Sequence, residues 1–373
     1  MNKLTLGIVA AILSTSANAE YKFIDLHFNG AHPNSQALAI NDLNQVVGFE
    51  WVKDGPVTWQ TPTLWDVESK TSTYLLTPRN NRDAKALDIN NRGDVVIRAS
   101  DNFDPSVSGY IHRSDGIEKL SFPSGMPNGV LNLDLNENGY FIGTTSRFTT
   151  TLWNSSNKPI AVYNIKTNAL NDRNQMVGQI DIGGPSHETT AALFDVGVTV
   201  SLGKGYDWIF SSRAVDINNN SQVLVNGIGF SGGSKSFIWD DGAVRSLQSI
   251  GGPSQANSIN DFGIVVGNKF VDRGYNSEIL DSAAVIWDGH NQYNLNDFLD
   301  QETKDAGWIL LSANDINNNG WVVGYAINTI TEGGHAYALS TDEMLSPIPE
   351  PSTYLMLLAG LGLLGFVGRN KQL

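Results

Sequence analysis

The sequence predicts an all-β chain: a seven-bladed β-propeller-like repeat domain, followed by a single C-terminal apolar helix. Three observations point there. A ten-residue unit centred on one asparagine recurs seven times. Most copies are followed by an apolar stretch ending near Trp or Phe, and then by a leucine. The spacing of the copies suits one four-stranded blade each better than a pair of helices, because the apolar residues alternate or run in short β-branched groups.

The units read AINDLNQVVG (39–48), DINNRGDVVI (88–97), DLNENGYFIG (134–143), ALNDRNQMVG (169–178), DINNNSQVLV (216–225), SINDFGIVVG (258–267) and DINNNGWVVG (315–324). Their shared asparagines are Asn41, Asn90, Asn136, Asn171, Asn218, Asn260 and Asn317, separated by 49, 46, 35, 47, 42 and 57 residues. One strand precedes the Asn-rich turn and one follows it. A third ends near Trp or Phe in TLWD (63–66), TLWN (151–154), ALFD (192–195), FIWD (237–240) and VIWD (285–288). Turns such as Asp240-Asp241-Gly242 or Asp115-Gly116 are hairpin signals, and a short fourth strand then ends at Leu120, Leu202, Leu247 or Leu295.

Backbone geometry explains the Asn-rich segment first. Asn and Gly adopt positive φ at low cost, and an Asx side chain bonds the backbone two residues on, so the segment is a tight connection between paired strands. The chemical alternative is calcium. Asp315, Asn317, Asn319 and Gly320 match the first half of an EF-hand loop, as do Asp134, Asn136, Asn138 and Gly139, but position twelve is Ala326 or Thr145 with no Glu to complete the shell. Trp65, Trp153, Trp239 and Trp287 share one repeat position and are expected in the core between blades. Trp208 and Trp308 form a second equivalent pair. Trp51 and Trp59 fall outside the pattern, in what reads as a long connection, where each is a packed loop residue or a sugar-stacking platform.

The unit resembles the HAF-type extracellular repeat, with its Ala, Asn and Val-Val-Gly strand pair and a following apolar strand. His335, Ala336 and Tyr337 of the seventh unit lie close to the pattern for which that repeat is named. The resemblance implies an exported β-rich protein and assigns no chemistry. Ring closure stays open at this stage: Tyr21–Leu26 reads as a strand with no unit before it and could complete the last blade, Met344 and Leu345 could do so locally, or the array could be an open solenoid.

Both ends carry addresses. Lys3, the apolar stretch Leu4–Leu13 and the small-residue site Ala17-Asn18-Ala19 form a secretory signal peptide, so the mature chain is expected to begin at Glu20. At the other end Pro349, Glu350, Pro351, Ser352 and Thr353 precede an uncharged run from Tyr354 to Gly368, then Arg369 and Lys371. Fifteen helical residues span about 22 Å, short of the roughly 30 Å hydrocarbon core, so the run suits a short or tilted transmembrane segment. The basic residues behind it would keep the extreme C-terminus cytoplasmic. These residues resemble the PEP-CTERM sorting signal of Gram-negative bacteria. The resemblance implies recognition by an exosortase, a membrane-embedded peptidase, in organisms that generally also make exopolysaccharide. The basic end is thinner than in many members, since Asn370 interrupts it. The expected organisation is therefore signal peptide 1–19, repeat domain 20–346 and sorting signal 347–373.

Composition narrows the partners. The chain carries 24 basic and 38 acidic residues, a formal net charge of −14, and three of the basic residues lie in the terminal addresses. The body repels phosphate backbones and anionic headgroups, which argues against nucleic acid. With no cysteine there are neither disulfides nor thiolate metal sites. Catalytic signals are weak. Gly229-Phe230-Ser231-Gly232-Gly233 matches a nucleophile elbow but lies between two expected strands, whereas that motif needs a strand-to-helix turn. The histidines at 27, 32, 112, 187, 290 and 335 show no metal-ligand spacing. The sequence is therefore read as a non-catalytic, envelope-sorted propeller without a cofactor. It would bind polysaccharide or matrix protein through variable loops, with contacts sought at 49–62 and 268–282. The alternative is a carbohydrate-active enzyme, which requires carboxylates converging within about 5–10 Å.

Overall fold

In the computed structural model the seven units are seven antiparallel four-stranded sheets. The structure describes residues 22–341 apart from 29–33, 55–56, 77–80, 102–106, 123–128, 146–148, 184–187, 196, 206–208, 230–233, 251, 271–281 and 290. Blades 1 to 6 follow in chain order over residues 35–74, 81–119, 130–163, 166–203, 209–246 and 254–294. Blade 7 takes three strands from 308–340, and Phe23–Asp25 adds the fourth.

The apolar core lies between the blades. Seven clusters of buried residues occupy the seven junctions, including the one between blade 7 and blade 1. This explains why the strand after each Asn turn opens on two consecutive apolar residues. A strand in a blade is buried on both faces, so neighbouring side chains point to different junctions. Val46 packs toward blade 7 and Val47 toward blade 2, and Val322 and Val323 divide in the same way between blades 6 and 1.

The tryptophans at the shared repeat position behave as expected. Trp65, Trp153 and Trp287 are fully buried at junctions, and Trp239 packs partly buried against another. Buried indole N–H groups find acceptors: Trp65 donates to Glu50 Oε1 at 3.1 Å, Trp153 to the Ser121 carbonyl at 3.3 Å and Trp287 to the Gln248 carbonyl at 2.6 Å. Leu120, Leu202, Leu247 and Leu295 are buried where the fourth strands end.

The ring is fastened by the N-terminal strand. Phe23, Ile24 and Asp25 pair antiparallel with Leu339, Ala338 and Tyr337, and Ile24 and Leu26 enter the junction between blades 7 and 1. This decides among the three closures that the sequence left open. Met344 and Leu345 lie outside the described residues, and their proposed place is filled. The closing strand also unites residues that sequence spacing leaves scattered: His335 Nδ1 lies 3.1 Å from both Asp25 oxygens, and the His27 ring stacks on His335 at 4.5 Å.

One expectation changes. Residues 49–62 do not form a long loop: the strands Gln45–Asp54 and Val57–Asp66 pair along their whole length, with Trp51 opposite Gln60 and Val52 opposite Trp59. Alternating side chains continue beyond the unit there, so the hairpin simply extends. Of the expected connection 268–282, Asn268–Phe270 belong to a strand and Ser282 begins the next, and 271–281 lie outside the described residues. The expected C-terminal apolar helix lies outside the described residues. Among the described residues no helix is long and apolar enough to cross a membrane. Their one α-helix, Gln301–Asp305, sits in the longest inter-unit spacing with Asp300 capping it through the Thr303 N–H.

Candidate functional site

The Asn-rich turns gather at one mouth of the central channel, and all seven asparagines have one bonding pattern. The side-chain oxygen of Asn317 accepts the backbone N–H groups of Asn319 and Trp321, and the main-chain carbonyl accepts that of Gly320. The same three contacts recur at Asn41, Asn90, Asn136, Asn171, Asn218 and Asn260. Three residues after each asparagine the backbone enters the left-handed region, at Asn44, Gly93, Gly139, Asn174, Ser221, Gly263 and Gly320, with φ between 58° and 77°. That requirement explains the Gly, Asn and Ser at this position.

Turn geometry is only half of the asparagine's role. Each side-chain NH₂ donates to the main-chain carbonyl of the asparagine in the next blade, from Asn41 to Asn90 and onward through Asn136, Asn171, Asn218, Asn260 and Asn317, which returns to Asn41 at 2.9 Å. A second closed ring lies beside it. The N–H of the residue after each asparagine donates to the side chain at the same position in the next blade, linking Asp42, Asn91, Glu137, Asp172, Asn219, Asp261 and Asn318. Two circular hydrogen-bond belts therefore close the propeller at this mouth.

Deeper in the channel, two residues before the asparagine, stand Asp88, Asp134, Asp216 and Asp315. Each accepts the N–H of an equivalent residue one blade on: Leu135, Leu170, Ile259 and Ile40 respectively, at 2.8–2.9 Å. Asp315 also accepts from Ser258 at 2.6 Å. Withdrawal from bulk water pushes Asp88 up to about 7, with the Asp315 charge adding to it and the Leu135 and Ile89 N–H groups opposing it. Asp216 rises to about 6 by the same burial. Asp134 is held well above the carboxylate range by burial and then by the charges of Asp88 and Asp216, and burial raises Asp315. The four aspartates line one cavity of about 280 Å³ together with the Asn turns. The oxygens that a calcium loop would use at Asp315 and Asn317 are aimed at N–H and O–H donors instead. Among the described residues no group of three or more His, Asp or Glu side chains could hold a metal ion.

The remaining sequence-stated site residues lie elsewhere. Ala17, Ala19, Pro349, Glu350, Pro351, Arg369 and Lys371 are outside the described residues, as are Trp208 and Ser231. The strand Val223–Gly229 ends before that segment and the strand Ser234–Asp240 follows it.

A closed seven-bladed propeller with a hydrogen-bonded channel mouth is the class that this architecture defines. Among solved structures it resembles the β-propeller domain of the Trilobed protease from Pyrococcus furiosus, with a TM-score of 0.61 and 13% identity over 83% of this chain and 95% of that one. It also resembles the acylaminoacyl peptidase of Pyrococcus horikoshii, with a TM-score of 0.58 and 12% identity over 84% of this chain, which spans 53% of that protein. The Dos1 propeller matches at a TM-score of 0.50 and 10% identity, over 86% and 94% of the two chains. These likenesses show the fold alone. No curated protein matches the sequence. Residues 347–372 match the PEP-CTERM protein-sorting motif, and Pro349, Glu350, Pro351, Arg369 and Lys371 all fall inside the match. That motif implies export in a bacterium, sorting to the envelope or surface, and processing by an exosortase.

Proposed function

We propose that this protein is a non-catalytic propeller displayed at the cell envelope or in the extracellular matrix, where it binds a matrix polymer. The supporting observation is the assignment of the repeated residues. At the mouth where every unit repeats, the asparagines and the residues after them are engaged in closing the ring, which leaves recognition to positions that vary between blades. The HAF-type likeness of the repeats and the sorting motif agree with display outside the cell. Fractionation of a tagged chain, intact and truncated after Ser346, tests it. The intact form is expected at the envelope or surface and the truncated form in the soluble exported fraction. Identical distribution of the two would overturn the sorting step.

One observation favours a second reading, catalysis on a glycan. Asp88 and Asp134 are neighbouring carboxyls with raised pKa values, the pattern that yields an acid and a base. Hydrolysis of any glycan by the purified protein, abolished by Asp134→Ser in a folded variant, would establish it.

A further inference from the structure

The opposite mouth of the channel has different chemistry. Five residues before the repeat asparagines the inner strands present Gln36, Lys85, Leu131, Lys166, Arg213, Gln255 and Ser312, three cations and no acid. Three cavities sharing lining residues run from the Asn turns to this end: Asn168, Val215 and Asn257 are common to the first two, and Arg213 and Gln255 to the last two. The last is the largest, about 520 Å³, within the usual size of small-ligand pockets. It opens across blades 4, 5 and 6.

Its lining is suited to a polar anion. Arg213 is exposed and has no carboxylate partner among the described residues, whereas the nearby Glu188 is taken by Lys204 at 2.9 Å. Lys166 stands at the equivalent position one blade back, at the start of its strand. Gln179 and Gln255 offer amides that make no hydrogen bond to a described residue, and Thr189 and Ser211 contribute hydroxyls. Phe270, 44% exposed, and Ile228, 51% exposed, supply apolar surface at the rim. Cations for a carboxylate, amides for hydroxyls and one aromatic face for a ring's C–H side make a combination that fits an acidic sugar. In a chain of net charge −14, so local a cationic site would be the attractive spot for an anion.

We propose that this mouth binds an acidic oligosaccharide, with the carboxylate of a uronate residue on Arg213, its hydroxyls on Gln179 and Gln255, and its ring against Phe270. The inference rests on the display reading above and names its ligand class and site. Titration calorimetry of the full chain with tri-galacturonate tests it, with neutral galactotriose and hexaglutamate as competitors for the assignment. Binding is expected to tri-galacturonate, at least about tenfold weaker to either comparator, and to weaken as salt rises. Arg213→Ala should cost about tenfold, Arg213→Lys should restore part of it, and Asp172→Asn at the opposite mouth should change nothing. Undiminished affinity of folded Arg213→Ala, equal binding of hexaglutamate, or no binding of tri-galacturonate would each overturn the proposal. A protein sorted to the envelope that ignores tri-galacturonate would sink this site and leave the display reading intact. One that binds it but is not sorted would do the reverse.

Discussion

The two mouths of the channel use the same seven inner strands for different ends. At one, every blade contributes the same asparagine in the same conformation, and two hydrogen-bond belts run round the ring. At the other, the corresponding positions are Gln, Lys, Leu, Lys, Arg, Gln and Ser, and no belt forms from their side chains among the described residues. Charge at the repeat positions differs in the same sense: Asp42, Glu137, Asp172 and Asp261 directly follow the asparagine and four further aspartates stand two residues before it, whereas Lys85, Lys166 and Arg213 stand five residues before it. Repetition marks the end that builds the ring, and variation marks the end left free for recognition.

The sharpest way to break this contrast is to cut the belt. Asn317→Ala removes the acceptor of the Asn319 and Trp321 N–H groups and the donors to the Asn41 carbonyl and to Asn44. Leaving buried polar groups unpaired is expected to cost about 3–5 kcal/mol, seen as a large fall in the denaturation midpoint. Asn317→Asp keeps size and acceptor but turns an oxygen toward the Asn41 carbonyl, so it should be comparably damaging. A midpoint shift below about 1 kcal/mol in both would mean that the belt is decoration. Next comes the fastening that no repeat supplies. Leu26 is fully buried beside Ile24 at the junction of the last and first blades, and Leu26→Ala is expected to cost about 2–4 kcal/mol in chemical denaturation. A cost like that of a surface substitution would show that closure does not depend on the N-terminal segment.

The repeat made the first mouth legible in the sequence and hid the second. Asn317, Gly320 and the Val-Val pair recur because each blade must solve the same turn and bury both faces, so their positions give blade number and strand order. Spacing does not say which carbonyl an asparagine reaches, and the inter-blade donation from Asn317 to Asn41 joins residues 276 apart. Nor does it say which chain end fastens the ring, because Phe23–Asp25 and the residues after Leu339 have similar strand character. The hairpin through Trp51 and Trp59 was hidden by its two apparently loop-like tryptophans, although the alternation of FEWVK before the turn and WQTPT after it was available. The cationic mouth gives no motif at all. Aligning the units and reading the column five residues before the asparagine for charge would have found it.

Acidity should shift the balance at the first mouth in a stated direction. Asp88 titrates near 7 and Asp216 near 6 in the fold, against about 3.9 for a free aspartate. Between about pH 4 and 7 the folded state therefore binds more protons than the unfolded one, and stability falls as pH rises through that window. The full burial penalty is felt above 7. Because the channel is open to water the amplitude is expected to be about 1–2 kcal/mol, measured as a midpoint that drops from pH 5 to pH 8. Asp88→Ser, which copies the residue already present at position 258, should flatten that slope, whereas the parent slope surviving in the variant would assign it to overall charge instead.

The smallest expected effect is the one that separates the two mouths most cleanly. Arg213 is exposed, makes no hydrogen bond or ion pair with a described residue, and sits on a strand whose backbone is paired through Asn226. Truncating it removes neither a buried contact nor a partner's only bond, so Arg213→Ala should leave the denaturation midpoint within about 0.5 kcal/mol of the parent. If Arg213→Ala instead destabilised the protein as Asn317→Ala does, the second mouth would be as structural as the first, and recognition would have to be sought on the outer edges of the blades. A neutral midpoint together with lost affinity for tri-galacturonate is the outcome that assigns one mouth to the ring and the other to the ligand.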